Sequence, residues 1–201
     1  YLNRYLAYGI DLRKEPVEIA PAAHTTCGGV RIDEYCRSGV PGLIVCGEAA
    51  GGLHGANRLG GNAGLETMGL GKTAVACTDS AIALPAATET VPDRAADVDV
   101  EAIRAEFRQI MRRSLNVIRC ERDLKQGIAE IAGLLEGLGE YQGCYRLYND
   151  LLTASITMSG ALERKGSVGC HCRLDAAEEN ARYRVVIQKD GERMHVRRMS
   201  I

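Results

Sequence analysis

The stretch Gly47-Glu48-Ala49-Ala50-Gly51-Gly52-Leu53-His54-Gly55-Ala56-Asn57-Arg58-Leu59-Gly60-Gly61-Asn62-Ala63-Gly64 decides how the rest of the chain reads. Seven of its eighteen residues are glycine. Glycine loses more backbone freedom on ordering than any other residue, so neither a packed helix nor an ordinary strand selects this composition. It belongs where a backbone must come close to a ligand or turn through positive φ. Just before it, Pro41-Gly42-Leu43-Ile44-Val45-Cys46 is a short apolar run behind a turn signal, which predicts a buried strand. Just after it, Leu65 to Leu84 is rich in alanine, leucine and threonine and predicts a helix. Strand, glycine loop and helix in that order aim backbone N–H groups and a helix N-terminus at an anionic or electron-rich ligand. A flexible linker is the plain alternative, but linkers are serine-rich and lack flanking apolar elements.

With 201 residues the chain is long enough to bury a core, and its net charge of −1 gives no reason to expect a nucleic-acid surface. No 18-residue apolar run suits a membrane span, and no secretory leader pattern is present. The chain opens on Tyr1-Leu2-Asn3 rather than methionine, so we expect a piece of a longer protein. Its eight cysteines are scattered, which fits a reducing, cytoplasmic compartment better than a disulfide framework. Cys170-His171-Cys172 has ligand-like spacing, yet no CxxC completes a set of four, so no metal site is expected.

Residues 1–10 read as weakly helical, and the proline-bounded Pro16–Pro21 as a short edge strand. Val30-Arg31-Ile32-Asp33 alternates as a strand, so one β unit should deliver both His24 and the glycine loop. Pro85 should stop the helix that follows the loop, and residues 86–96 read as a linker. Then the character changes. Asp99 offers an N-cap for a helix to about Arg113, with Ile103, Phe107 and Ile110 on one face. Glu121–Leu138 repeats the pattern with Leu124, Ile128, Ile131 and Leu135. Tyr145–Arg164 is a third helix, apolar at Leu147, Leu151, Leu152, Ile156 and Met158, and the three predict a bundle. Tyr183–Ile187 and Met194–Val196 flank an Asp190-Gly191 centre, a hairpin signal.

Two short motifs fail on context. Gly69-Leu70-Gly71-Lys72-Thr73-Ala74 fits GxGxxA but lies inside a predicted helix, not after a strand. Glu66–Thr73 resembles a phosphate loop but lacks its first glycine and a following acidic strand. A third match is longer. His24-Thr25-Thr26-Cys27-Gly28-Gly29-Val30, Pro41-Gly42-Leu43, Gly47-Glu48-Ala49-Ala50-Gly51-Gly52 and His54-Gly55-Ala56-Asn57-Arg58-Leu59-Gly60-Gly61-Asn62 resemble the flavoprotein subunits of succinate dehydrogenase and fumarate reductase. L-aspartate oxidase belongs to the same superfamily. Weaker similarity continues through Asn116–Arg119 and Ala161–Asp175. The whole chain therefore resembles the C-terminal part of such a flavoprotein.

The resemblance implies an α+β fold: a partial FAD-binding β/α domain followed by a C-terminal helical bundle with a terminal β-hairpin. Residues 1–20 would be a capping-domain remnant or connecting segment, 21–85 the end of the FAD-binding domain, 86–96 a linker and 97–201 the helical domain. FAD is the implied cofactor, with Glu48 on its ribityl chain and Asn62, Ala63, Gly64 and Leu65 at the flavin. The helix dipole and free N–H groups there would stabilise charge on a reduced ring, although family members usually carry serine and leucine where Ala63 and Gly64 stand. His24 and Arg58 would bind the carboxylates of a dicarboxylate substrate, Arg58 through a planar fork of donors. His54 and Cys27 are expected to pack or to serve the loop. The resemblance implies hydride transfer between flavin N5 and a dicarboxylate. The implied partner is an iron–sulfur electron-transfer subunit, and the implied location is the cytoplasm or the inner face of a membrane. The family's proton-donating arginine and the dinucleotide-binding unit are not in this chain, so no catalytic residue is expected here and the chain alone should be inert. Lys165-Gly166-Ser167-Val168 departs from the family's Glu-Ser-Arg-Gly. Two alternatives stay open: L-aspartate oxidase or another FAD oxidoreductase, and a non-catalytic assembly module that docks on an iron–sulfur subunit.

Overall fold

The computed structural model describes residues 2–20, 22–78, 98–138, 144–176, 182–191 and 193–201. The elements run α1 (Leu2–Leu6), β1 (Val30–Arg31), a 3₁₀ turn (Gly47–Ala49), β2 (Ala50–Gly51), α2 (Asn62–Ala76), α3 (Val100–Ser114), β3 (Ile118–Arg119), α4 (Glu121–Leu138), α5 (Tyr145–Glu163), β4 (Cys172–Arg173), β5 (Tyr183–Asp190) and β6 (Arg193–Ser200). The fold is α+β, as the sequence predicts. No helix among the described residues is long and apolar enough to cross a membrane.

The N-terminal part is sparse in regular structure. β1 pairs with β2 in parallel, Val30 opposite Ala50 and Arg31 opposite Gly51. Beside this ladder two backbones nearly touch: a Cβ on Gly29 would lie 2.3 Å from the Ala49 carbonyl oxygen, and one on Gly51 2.6 Å from that of Gly29. Only glycine permits that approach. Cys36 is fully buried, and its thiol reaches the Leu70 carbonyl of α2 at 3.7 Å. Thr67 of α2 lies against Gly47, so the helix rests on the 3₁₀ turn.

Three expectations for this part need correction. The apolar run at 41–46 is not a buried strand: Ile44 makes one bridge, to Arg37, and Leu43 is 46% exposed. A strand needs a ladder partner along its length, and here its neighbour is the tight 36–38 turn, which offers the Cys36 carbonyl to the Val45 N–H, the Arg37 bridge to Ile44 and the Ser38 N–H and hydroxyl to the Leu43 carbonyl, and goes no further. Pro16–Ala20 likewise pairs with nothing among the described residues, and Ile19 is 88% exposed. Helix α2 opens at Asn62, with the segment expected to begin it at the flavin, but closes at Ala76 instead of running on toward Leu84. The Cys77 and Thr78 N–H groups end it on Thr73 and Val75. The proline stop at Pro85 and the 86–96 linker fall outside the described residues.

The C-terminal part holds the core. Ile110 of α3, Leu124, Ile131 and Leu138 of α4, and Leu147, Leu151, Ala154, Met158 and Ala161 of α5 form one buried cluster. These follow the 3–4 residue spacing that puts apolar side chains on one helix face. Asp99 caps α3 by accepting from the Ala102 N–H at 3.0 Å. The helices cross closely at Gly127, where a Cβ would lie 2.5 Å from Ser114 Oγ and 2.9 Å from Met158 Sδ. Buried Arg173 then ties the bundle ends together. It grips Asp175 with Nε at 2.7 Å and Nη2 at 3.1 Å and donates from Nη1 to the Ala161 and Arg164 carbonyls, each at 3.2 Å. Asp175 also accepts from the Glu121 N–H at the start of α4, at 2.6 Å. One ion pair thus serves the C-terminal carbonyls of α5 and the N-terminus of α4. β5 and β6 form the expected antiparallel hairpin, Asp190 opposite Arg193, with Gly191 at φ +57° opening the reversal. Tyr183 of β5 is buried between Arg164 and Arg198, whose guanidinium carbons stand 4.4 and 4.7 Å from its ring centre.

Candidate functional site

Glu48 lies in the 3₁₀ turn between the Leu43–Cys46 run and β2, and its Oε1 accepts from the Thr26 N–H at 2.9 Å. That bond crosses from the His24–Gly29 segment to the glycine loop, 22 residues apart. It holds the Glu48 carboxyl below the usual glutamate range, helped by the Thr25 hydroxyl and the charges of Arg58 and His24. The structure therefore brings His24, Glu48 and Arg58, three of the residues read from the sequence, into one electrostatic cluster. His24 and Glu48 are exposed, and Arg58 is half-buried. Among the described residues Arg58 has no hydrogen bond or ion pair of its own.

Asn62, Ala63, Gly64 and Leu65 form the first turn of α2, behind Gly61 at φ +87°. The Asn62 N–H donates to Leu59 and that of Gly64 to Gly61, each at 3.2 Å, while the Ala63 N–H has no loop or turn partner among the described residues. Leu65 is 70% exposed. A Cβ built on Gly52, Gly55, Gly60, Gly61 or Gly64 would meet nothing within 4 Å. These glycines leave an open wall rather than fill a packed interior.

Two pairings that fix this loop are not signalled by any spacing in the sequence. His54 Nε2 pairs with Glu66 Oε2, both side chains largely buried at 14% and 8% exposure. The pairing joins the loop to the second turn of α2, and a spacing of 12 residues matches no local pattern. The second fixing comes from the C-terminal part. The Cys170 N–H donates to the Ala56 carbonyl at 2.9 Å, and its thiol to Asn57 Oδ1 at 3.2 Å. Gly169, at φ +55°, sits so close that a Cβ would lie 2.2 Å from the Ala56 oxygen. Burial, and after it the neighbouring Cys27, holds the Cys170 thiol above the ordinary cysteine range. The neighbouring His171 ring is spoken for: Nδ1 accepts from Arg119 at 2.9 Å and Nε2 donates to the Arg164 carbonyl at 3.2 Å. Burial, with the nearby arginine charges, holds its pKa below the ordinary histidine range.

The chain has relatives among known proteins. Residues 3–63 match the FAD binding domain family, and residues 104–197 match the fumarate reductase flavoprotein C-terminal family. The chain belongs to the fumarate reductase and succinate dehydrogenase type of flavoproteins. It is 33% identical to a fumarate reductase (CoM/CoB) chain of Methanothermobacter marburgensis over 88% of this chain and 37% of that protein. It is 36% identical to L-aspartate oxidase 1 of Ralstonia nicotianae over 87% of this chain and 36% of that one. The solved quinol fumarate reductase of E. coli shares the fold at a TM-score of 0.77 and 24% identity, covering 100% of this chain and 40% of that one. The chain thus spans about two fifths of the length of the proteins it matches.

FAD is the cofactor of this flavoprotein type, and the residues present fit one side of it. Among the described residues the Ala63 N–H, at a helix N-terminus, meets no loop or turn acceptor, Glu48 is an ordered acceptor, and the open glycines leave backbone accessible between them.

Proposed function

We propose that this chain is the C-terminal part of an FAD-dependent oxidoreductase acting on a dicarboxylate of the succinate and fumarate type, and that it carries one wall of the active site. When bound, FAD supplies two-electron hydride chemistry toward a dicarboxylate carbon. Glu48 would accept hydrogen bonds from the ribityl hydroxyls, and the first turn of α2, Asn62 to Leu65, would face the flavin ring with its N–H groups and dipole. Arg58 and His24 would bind the substrate's carboxylates and fix its orientation, which is where much of the rate is gained. The observation that carries this reading is Arg58: half-buried, without an ion-pair partner among the described residues, and within electrostatic reach of His24's neighbour Glu48. A forked donor set of that kind matches a carboxylate.

The test uses the full-length, flavin-loaded protein and dye-linked turnover with succinate, fumarate and aspartate. Arg58→Ala should lower kcat/KM for the dicarboxylate about a hundredfold or more while leaving flavin bound. Unchanged dicarboxylate kinetics would refute the assignment. The second substrate reading, L-aspartate oxidation, is favoured by the His24-Thr25-Thr26-Cys27-Gly28-Gly29 segment and by the similarity to L-aspartate oxidase 1. Turnover on aspartate alone would select it. An iron–sulfur protein is the proposed electron partner, and pull-down from the source cell should recover it. The 201-residue chain alone, supplied with FAD, should neither bind the flavin tightly nor reduce fumarate.

A further inference from the structure

Arg58 makes no hydrogen bond or ion pair among the described residues, so its place depends on what fixes the loop around it. On its N-terminal side the loop is held by His54, whose Nε2 pairs with Glu66 Oε2. On its C-terminal side the Asn62 N–H closes on the Leu59 carbonyl at 3.2 Å. Glu66 is unusual in how it is satisfied. Its side chain is 8% exposed, and its second oxygen, Oε1, is buried without a hydrogen-bond partner among the described residues. A buried carboxylate oxygen left unmet is costly, and a residue serving stability alone would be replaced at little loss by an apolar one. Glutamate at this point does something an apolar side chain cannot: it holds the His54 ring in one orientation. The ring is four residues from Arg58 and stands on the segment that carries it.

We propose that Glu66 is a positioning residue for substrate binding, acting through His54 to set the place of the Arg58 guanidinium. The inference rests on the reading of Arg58 as a carboxylate ligand and adds the element that aims it. Helix α2 then has two duties: its first turn faces the cofactor, and its second holds the substrate-binding loop. Glu66 itself touches neither ligand.

The experiment uses the full-length flavin-loaded protein, with malonate as a non-reacting dicarboxylate probe followed by perturbation of the flavin absorbance. Glu66→Gln keeps the side-chain shape and should weaken malonate binding and raise KM about tenfold, since small misplacements of a binding group are felt strongly. The flavin content, spectrum and midpoint potential without malonate should stay those of the parent. His54→Gln should reproduce the pattern and serves where Glu66→Gln folds poorly. In an Arg58→Ala background, Glu66→Gln should add less than about a twofold further loss, because both act through one group. Parent malonate affinity in both variants would overturn the proposal, as would a full additional loss in the Arg58→Ala background. An Arg58→Ala protein that binds malonate normally would sink the dicarboxylate reading together with it. Impairment by Arg58→Ala without impairment by Glu66→Gln would sink the positioning role alone.

Discussion

Glu48 shows what one side chain can report about this site. Its carboxyl is held below the ordinary range first by the Thr26 N–H and then by the Thr25 hydroxyl and the charges of Arg58 and His24. A carboxyl whose pKa is depressed in the folded protein keeps its ionised contacts above its ordinary pKa and loses them as pH falls through the lowered value. Flavin retention in the full-length protein should therefore hold at neutral and mildly acidic pH and fail only below the ordinary glutamate range. Glu48→Gln should remove that acid limb and weaken flavin binding about tenfold, measured as flavin released on dilution across a pH series. Glu48 and Arg58 stand out in the sequence as the acid and the arginine of a glycine run, whereas His24 is singled out by the family resemblance alone. The His54–Glu66 pair was not legible there. It joins a loop to a helix through side chains whose spacing obeys no helical or strand period.

At the scale of elements, the helices were the readable part. Asp99 and the apolar spacing locate α3 within a residue of its ends, and α4 falls on Glu121–Leu138 as expected. Helical periodicity is written within one segment, whereas a strand is completed by a partner elsewhere. That is why Leu43–Cys46 misled: its apolar character was plain, and its lack of a ladder was not. Gly127 is a second hidden feature, a close crossing of three helices. Gly127→Ala drives a methyl into Ser114 and Met158 and should cost about 1–3 kcal/mol despite alanine's better helix propensity, measured by denaturant unfolding. Arg173 offers a harsher test. Its side chain is 1% exposed, so Arg173→Met, which strands Asp175 and the α5 carbonyls, should destabilise by about 3 kcal/mol. Asp175→Asn should cost less, because that carboxylate is 38% exposed and partly screened. The Asp175 carboxyl is held well below its ordinary 3.8, chiefly by Arg173. Its contribution is complete above that value and fades as pH falls beneath it. Acid titration of the parent should show this loss, and Asp175→Asn should lack it.

The molecule as a whole is unevenly built. Among the described residues most of the buried core belongs to α3, α4 and α5, while the part that carries His24, Glu48 and Arg58 buries little beyond Cys36, Gly47, Ala50 and Ala74. Amide exchange should reflect it: slow in α4 and α5, and at least about a hundredfold faster across residues 22–61, where few buried contacts oppose local opening. Equal protection in both parts would contradict that account. The sequence shows the change of character near residue 97 but not the contact that spans it, since Gly169 against Ala56 joins positions with no shared period. That contact also has a bearing on how the protein is made. Cys170 closes on Asn57 across 113 residues, so on a ribosome adding about 5–20 residues per second the loop around Asn57 waits roughly 6–23 s for its clamp to be synthesised. A flavin that arrived during that interval would meet the proposed wall before its clamp is in place. The loop emerges first, the bundle is completed next, and Gly169 and Cys170 can dock on Ala56 and Asn57 only then.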